Sequence, residues 1–493
     1  MYYLRGVLQI VKLSSLINGV PIVSIQGNNN IDITGITKDS RKVKEGYMFF
    51  ATSKNNTYID DALNHGASVL VADQETDKTF RSAIVVEDVT RTLGHIASRF
   101  NGFPSKHMHV TGITGTNGKT TITYLIESIL QGAGKKTGVI GTISYRYDGN
   151  ILKAENTTPG ATEIHNLLKD MHTSKVKFVV MEVSSHALDQ RRVEGVEFDV
   201  GIFTNLTHDH LDYHGDFEHY KAAKKLLFED YLGHSSKEKR YAILNIDDPS
   251  VREFTVDAPI ETLSYSAKGY ADAHPIKYSE DINGLTLDIS LMDKKMSIVS
   301  PLIGSFNASN ILASALYGVA ANMSHEKIKE GIERLEGVPG RLERIKNSSG
   351  ISIFVDYAHT PDALSNVLKL LNHLKKGKLI VVFGCGGDRD TAKRPIMGSI
   401  ASLLADLAII TSDNPRSENP TSIIEDIKRG FNGKPYKVIE NRKDAIFEGV
   451  RLAGANDVLL VAGKGHEDYQ IIGDKTYHFS DRETIEESLN VAH

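Results

Sequence analysis

Eight consecutive residues, Thr114-Gly115-Thr116-Asn117-Gly118-Lys119-Thr120-Thr121, place glycines, a lysine and hydroxyl side chains between an apolar run and the helical run ITYLIESIL. In a strand-loop-helix turn of this kind backbone amides cradle phosphate, the lysine neutralises its charge, and the next hydroxyl can ligate Mg²⁺. The loop is therefore expected to bind ATP through Gly115 to Thr121, with Lys119 catalytic and Thr120 on the metal. The pattern departs from a strict P-loop, which requires glycine where Ile113 stands. Glu182 closes the apolar run VKFVVMEV, where a carboxylate can face the loop and bind Mg²⁺ directly or through water. Polar clusters also end SIFVDYAHTP, KLIVVFGCGGDRD, LAIITSDNPR and DVLLVAGKGHE. In open parallel sheets, ligands collect at such carboxyl ends of strands.

The elements that must hold these residues follow from the apolar pattern. From Met108 onward, strand-length runs (MHVTGIT, KKTGVIG, VKFVVMEV, FDVGIFTNL, YAILNID) alternate with loops and helical stretches, which indicates a mostly parallel α/β sheet. Before it, residues 31–106 mix short β-rich runs such as GYMFFA and SVLVAD with helical runs such as TRTLGHIASRF. The helices ASNILASALYGVAA and HEKIKEGIERL close the central block, and EGVPGRLE has the glycine and proline of a hinge. Three α/β domains are expected: a small one over 1–107, a central P-loop-type ATPase domain over 108–337, and a Rossmann-like domain over 338–493.

The 493 residues suit about three domains. A net charge of -5 argues against a general binder of nucleic acid or acidic membranes, so an anionic substrate must be held by local sites. Cys385 is the only cysteine, which excludes an intrachain disulfide and favours a reducing, cytoplasmic setting. The N-terminal residues lack the pattern of an export signal. The charge-free stretch from Met296 to Ser324 is interrupted by Pro301, Gly304 and several asparagines, and reads as strand, turn and helix rather than a membrane span. A monomer is expected.

TGTNGKTT resembles the nucleotide loop of the Mur ligases and of their relatives the folylpolyglutamate synthetases. The resemblance continues through Glu182-Val183-Ser184-Ser185-His186, Asn205 to Asp212 (NLTHDHLD), Asp356 to Pro361 (DYAHTP) and Asp413-Asn414-Pro415-Arg416, and covers about residues 32 to 482. Residues 1–11 read as an extension with no assigned role. The resemblance implies that Glu182 serves the metal and that His210 binds a second Mg²⁺. It implies that Lys224, in FEHYKAAKKLLF, is carbamylated and faces metal or γ-phosphate. From the residues alone Lys224 reads as a solvated helix lysine; its neighbour Lys225 competes for the role, and helical phasing with Leu227 and Phe228 favours Lys224. Asn310, Arg341, Asp356 and His359 are similar to residues around the adenine and phosphates. Ser40 of KDSR would contact uridine, Asn156, Thr157, Thr158 and Ser184 the sugar-peptide, and Gln190 and Arg192 its carboxylates. Each of these alone reads equally as a turn or cap residue.

The implied reaction is ATP-dependent ligation of meso-2,6-diaminopimelate to the D-glutamate γ-carboxylate of UDP-N-acetylmuramoyl-L-alanyl-D-glutamate, through an acyl phosphate, in peptidoglycan precursor synthesis. Family members with DNPR resemble the diaminopimelate-adding type. Arg416 would pair bidentately with the distal carboxylate that lysine lacks. Asp413, Asn414, Pro415, Arg389, Gly463 and Glu467 would complete the pocket, with Glu467 on the distal ammonium. A lysine-adding ligase, a folylpolyglutamate synthetase-like ligase, and a P-loop kinase or switch ATPase are the competing expectations.

Overall fold

Runs of four to six aliphatic residues that are buried along their whole length can only be strands covered on both faces, and they form the centre of each sheet in this computed structural model. The structure describes residues 9–52, 57–207, 211–254, 256 and 259–491. The chain divides into two compact units: one holds the residues up to His274 together with Leu312–Gly331, the other holds Pro275–Ile311 and Ile332 onward.

In the first unit an N-terminal sheet has the order Ser24–Gly27, Ser82–Val85, Val69–Ala72, Tyr47–Ala51, Gly35–Thr37. Its strands are parallel except for Ser24–Gly27 at one edge. Helix Val89–Phe100 begins at Asp88, whose carboxylate caps the Arg91 amide, and buries Leu93, Ile96 and Phe100 against Met48, Phe50 and Val71.

The central sheet of this unit runs Asn150–Lys153, Ser144–Tyr147, Thr137–Ile140, Phe178–Glu182, His109–Thr114, Val200–Phe203, Arg240–Asn245, Ile260–Tyr265. From Thr137–Ile140 onward these strands pair in parallel. The phosphate loop leaves the carboxyl end of His109–Thr114, flanked by Phe178–Glu182 and Val200–Phe203. Helix Phe217–Leu226 continues as a wider π-helical turn, Leu227–Leu232, in which the Gly233 amide donates to the Phe228 carbonyl. Phe228 and Leu232 pack against Gly201 of the sheet.

The second unit contains a sheet ordered Glu343–Ile345, Ser352–Asp356, Val458–Ala462, Leu379–Phe383, Leu407–Ile410, Tyr436–Val438, parallel apart from its first strand. Phe354, Val381 and Leu460 pack with Leu364 and Ile423 on one face, while Ile353, Val382 and Leu459 pack with Ile446 and Ile485 on the other. Helices on both faces of a parallel sheet make this the Rossmann-like arrangement expected from its strands. The charge-free stretch, residues 296–324, takes in the end of strand Lys294–Ser300 and all of helix Ser305–Ala320, and among the described residues no helix is long and apolar enough to cross a membrane.

Candidate active site

The phosphate loop has the backbone such a turn requires. Gly115 and Gly118 adopt φ values of 140° and 90°. A Cβ at Gly115 would overlap the Thr204 hydroxyl, so only glycine fits there. The loop is tied down by the segment after Val200–Phe203. The Thr116 amide donates to the Asn205 carbonyl at 2.8 Å, the Asn117 amide to Asn205 Oδ1 at 3.0 Å, and the Thr204 hydroxyl to the Asn117 carbonyl at 2.6 Å. Lys119 folds back so that Nζ donates to the carbonyls of Gly115 (2.8 Å) and Thr116 (2.9 Å).

Glu182 is 1% exposed, and its carboxylate is fixed from two sides. Oε2 accepts from the Thr120 hydroxyl at 3.0 Å and the Thr142 hydroxyl at 2.9 Å, while Oε1 accepts from the Thr142 amide at 3.0 Å. Thr120 and Glu182 are hard oxygen donors facing one another, the chemistry Mg²⁺ selects. Among the described residues no three His, Cys, Asp or Glu side chains form a metal cluster. His210 lies outside the described residues.

The same network extends toward the candidate sugar-peptide residues. Thr142 Oγ1 lies 3.1 Å from Thr157 Oγ1. The Thr158 hydroxyl donates to the Glu182 carbonyl at 2.8 Å and accepts from the Ser184 amide at 3.0 Å. Arg192 donates to the Thr158 carbonyl at 2.8 Å and to Gln190 Oε1 at 3.0 and 2.8 Å; Gln190 donates to Tyr213, and Tyr213 to Asp189. Asn156 accepts at its carbonyl from Tyr145. Ser40 is buried at the start of the short helical turn Ser40–Lys42. Its neighbour Lys38 lies in the field of Arg192: desolvation and then that guanidinium push the Lys38 ammonium below the usual lysine range, with Glu163 opposing. The KDSR segment and the central-sheet residues therefore share one electrostatic environment.

Lys224 corrects the reading of a solvated helix lysine. It is 1% exposed, donates to the Gly115 carbonyl at 2.9 Å, and lies 4.5 Å from the centre of the Tyr220 ring. Tyr220 in turn meets the Thr116 hydroxyl at 2.9 Å. Lys225 points elsewhere, to Glu229 at 3.2 Å. Lys224 is buried together with Leu227 and Phe228, and Lys225 is half-buried.

In the second unit, Asp356 is buried at a strand end, where Oδ1 accepts from the Ala358 amide (2.8 Å) and Oδ2 from the Leu342 amide (2.7 Å). Burial pushes its acid up, against the pull of Arg341 and the two amides. Arg341 stacks over Tyr357, 4.8 Å from the ring centre, and His359 contacts the other side of the same loop through the Tyr357 carbonyl. Asn310 is buried and donates to Asn307.

The amino-acid candidates converge in this unit. Arg416 adopts φ 50° after the buried Pro415; its amide donates to Ile471 and its guanidinium to the Gly387 carbonyl at 2.7 Å. Arg389 is exposed on the same glycine-rich loop, beside Asp388. Asn414 Oδ1 accepts from the Ile471 amide (3.0 Å) and Lys464 Nζ (3.2 Å), which turns its Nδ2 to donate to Glu467 at 3.1 Å. A Cβ at Gly463, whose φ is 118°, would stand 2.7 Å from Asp413 Oδ2. Glu467, expected on the distal ammonium of the ligand, also has a protein cation nearby in Lys464, at 3.5 Å.

Sequence reasoning missed Thr142, Tyr213, Tyr220, Lys464 and the buried pair Arg442–Asp481. Lys464 sits inside the GKGHE cluster and was open to notice; the others carry no local signal.

The Mur ligase middle domain matches residues 113–318, and the Mur ligase, glutamate ligase domain matches residues 340–465. A Clostridium tetani protein named UDP-N-acetylmuramoyl-L-alanyl-D-glutamate–2,6-diaminopimelate ligase is 43% identical over 491 residues, spanning 97% of this chain and 99% of its own. A Halalkalibacterium halodurans protein of the same name is 41% identical over 483 residues, spanning 97% and 99%. A solved structure of an enzyme of that name superposes with TM-score 0.73 at 32% identity, over 98% of this chain and 99% of the other. Mycobacterium tuberculosis folylpolyglutamate synthase, with TM-score 0.61 at 18% identity over 74% of this chain and 91% of its own, shares the fold.

Proposed function

The chain belongs to the Mur ligase family, and on that footing we propose that it is an ATP-dependent ligase joining meso-2,6-diaminopimelate to the D-glutamate γ-carboxylate of UDP-N-acetylmuramoyl-L-alanyl-D-glutamate in peptidoglycan precursor synthesis. The observation that carries this reading is identity of 41–43% along almost the whole chain to enzymes of that name. The Asn414–Glu467 hydrogen bond, with Arg416 two residues further along the same segment, supports the choice of amino acid.

ATP supplies the phosphoryl group that converts the γ-carboxylate into an acyl phosphate, and Mg²⁺ screens the phosphate charge. The chain supplies position and field. Lys119 neutralises charge on the transferring group, and Thr120 and Glu182 hold the cation. Lys224, once carbamylated, turns its buried ammonium into a carboxylate beside the loop, and His210 takes a second Mg²⁺. Ser40, Asn156, Thr157, Thr158 and Ser184 hold the nucleotide sugar-peptide, with Gln190 and Arg192 on its carboxylates. Asn310, Arg341, Asp356 and His359 surround the nucleotide. In the pocket, Arg416 with Arg389 receives the distal carboxylate, and Glu467 with Asp413 favours the distal ammonium; the other amine, deprotonated, attacks the acyl carbon. The work divides among three domains, 1–107 for the UDP-sugar, 108–337 for ATP and 338–493 for the amino acid, in a cytoplasmic monomer.

The test is phosphate release with ATP, UDP-N-acetylmuramoyl-L-alanyl-D-glutamate and a panel of amino acids. Release that needs both the sugar-peptide and meso-diaminopimelate is expected. Release without an acceptor amine would point to a kinase or switch ATPase, and preference for L-lysine would overturn the amino-acid assignment.

A further inference from the structure

Asp413–Arg416 and Gly463–Glu467, the two loops that build the amino-acid pocket, leave strands that are not neighbours. Leu379–Phe383 lies between Leu407–Ile410 and Val458–Ala462, so no ladder hydrogen bond joins the strand ends from which those loops depart. Across the gap the loops bond each other through Asn414, which meets Lys464 and Glu467, and one side chain behind them bonds both strand ends. Arg442, at the first turn of helix Arg442–Leu452, is 1% exposed, and its guanidinium reaches the carbonyl of Ala462 at 2.9 Å and that of Ser412 at 3.5 Å. Those carbonyls belong to the residues just before Gly463 and Asp413. The rest of the fork is held by Asp481, wholly buried at the start of helix Asp481–Val491, through two bonds of 2.7 Å.

We propose that Arg442 is a positioning residue for the amino-acid pocket, fixing the separation of the Asp413–Arg416 and Gly463–Glu467 loops from behind, with Asp481 orienting it. A buried ion pair is not by itself a source of stability, because an apolar pair of similar volume serves as well. What an apolar pair cannot supply is a planar fork that bonds a carboxylate and two carbonyls at set angles. Lysine keeps the charge and loses that geometry. The two loops touch where Gly463 meets Asp413, so a shift at either strand end moves both pocket walls.

The proposal rests on the amino-acid reading above, and the experiment separates the two. The variant Arg442→Met/Asp481→Leu removes the tie while keeping the volume. It is expected to melt cooperatively and to show a KM for meso-diaminopimelate raised roughly ten- to hundredfold, the scale of an ångström-level misplacement. Its KM values for ATP and for the UDP-sugar-peptide should stay at wild-type values, and its preference for meso-diaminopimelate over L-lysine should fall. A folded variant with unchanged KM for meso-diaminopimelate, or with all three KM values raised together, overturns the proposal. Should the double variant fail to fold, Arg442→Lys is read in the same way. Should the wild type reject meso-diaminopimelate, the functional reading fails instead. The inference is then judged from crystal structures of wild type and variant: an unchanged separation of Asp413 and Gly463 overturns it, and a displaced one supports it.

Discussion

The phosphate-loop site of the first unit and the strand-end site of the second differ in how they use buried charge. Around the phosphate loop the buried charged groups face the site: Lys224 bonds the loop's own Gly115 carbonyl, and Glu182 stands against Thr120. In the second unit the buried pair Arg442 and Asp481 holds the strand ends, a third buried charge, Lys464, bonds Asn414 and Glu467, and Arg416 and Arg389 are the less buried cations. The phosphate cradle of the first site is one contiguous loop, braced by residues from elsewhere in the unit. The second has no shape until residues from several loops, tens of positions apart, are held in register.

The sharpest test of that contrast is selectivity. Sites built to pair with a particular group discriminate against ligands lacking it by as much as ~10⁴–10⁵. We therefore expect Arg416→Ala to lose most of its preference for meso-diaminopimelate over L-lysine, measured as the ratio of kcat/KM values, with little change in nucleotide binding. An unchanged ratio would remove Arg416 from recognition. Lys119→Ala should act in the other region and on the other parameter, lowering kcat by about 10²–10³ while the amino-acid preference stays put. Near-normal turnover in a folded variant would take the loop out of the mechanism. Lys224→Ala should lose roughly a hundredfold, since it removes a positioned group. Acetate or formate should restore part of that loss by occupying the vacated carbamate position, and full activity without added acid would return Lys224 to the status of a packing residue.

Two smaller effects sharpen the comparison within the first unit. His165 is fully buried, bonded through Nε2 to the Glu194 carbonyl at 2.9 Å, and desolvation pushes its imidazole from 6.5 down to about 4. The unfolded chain takes up this proton near pH 6.5 and the folded chain only near 4, so stability is full above 6.5 and declines as pH falls across that interval. The shift corresponds to about 3 kcal/mol. Thermal unfolding of wild type and His165→Gln over that range checks it: a wild-type slope no steeper than the variant's would refute the assignment. Thr142→Val should weaken Mg²⁺ binding by only about tenfold, as expected for a group that orients a metal ligand, and Thr142→Ser should restore it. Equal affinity in the valine variant, read by calorimetry with Mg²⁺ and ADP, would show that Glu182 is held without it.

How far each region was legible follows from the same contrast. Gly115 to Thr121 could be read because the chemistry lies in consecutive residues whose backbone makes the cradle. The strand ends that carry Arg416 and Glu467 could be read because apolar runs break into charge there, while the roles of the two residues are what the resemblance implies. Lys224 was ambiguous because an amphipathic helix shows which residues share a face but not which face is buried, and the tie to Gly115 lies 109 positions away. Thr142, Tyr220 and Arg442 were invisible for a related reason: a threonine after a strand, a tyrosine in a helix and an arginine in a helix's first turn have ordinary local explanations. Only the tertiary fold gives them their partners.

The wide turn Leu227–Leu232 makes the position of Lys224 a matter of chain length as much as of residue type. Upstream of it the helix directs Lys224 to the loop, and within it Phe228 and Leu232 are pressed onto Gly201. An α-helix advances about 100° per residue, so removing one residue from this turn would restore ordinary winding and rotate everything before it by about that angle relative to the sheet. Lys224 would leave the Gly115 carbonyl, and Tyr220 and Ala223, buried on the same helix, would turn with it. Such a deletion would silence the site without removing any residue of it, and a chain lacking this wide turn would need its lysine at a different helical position.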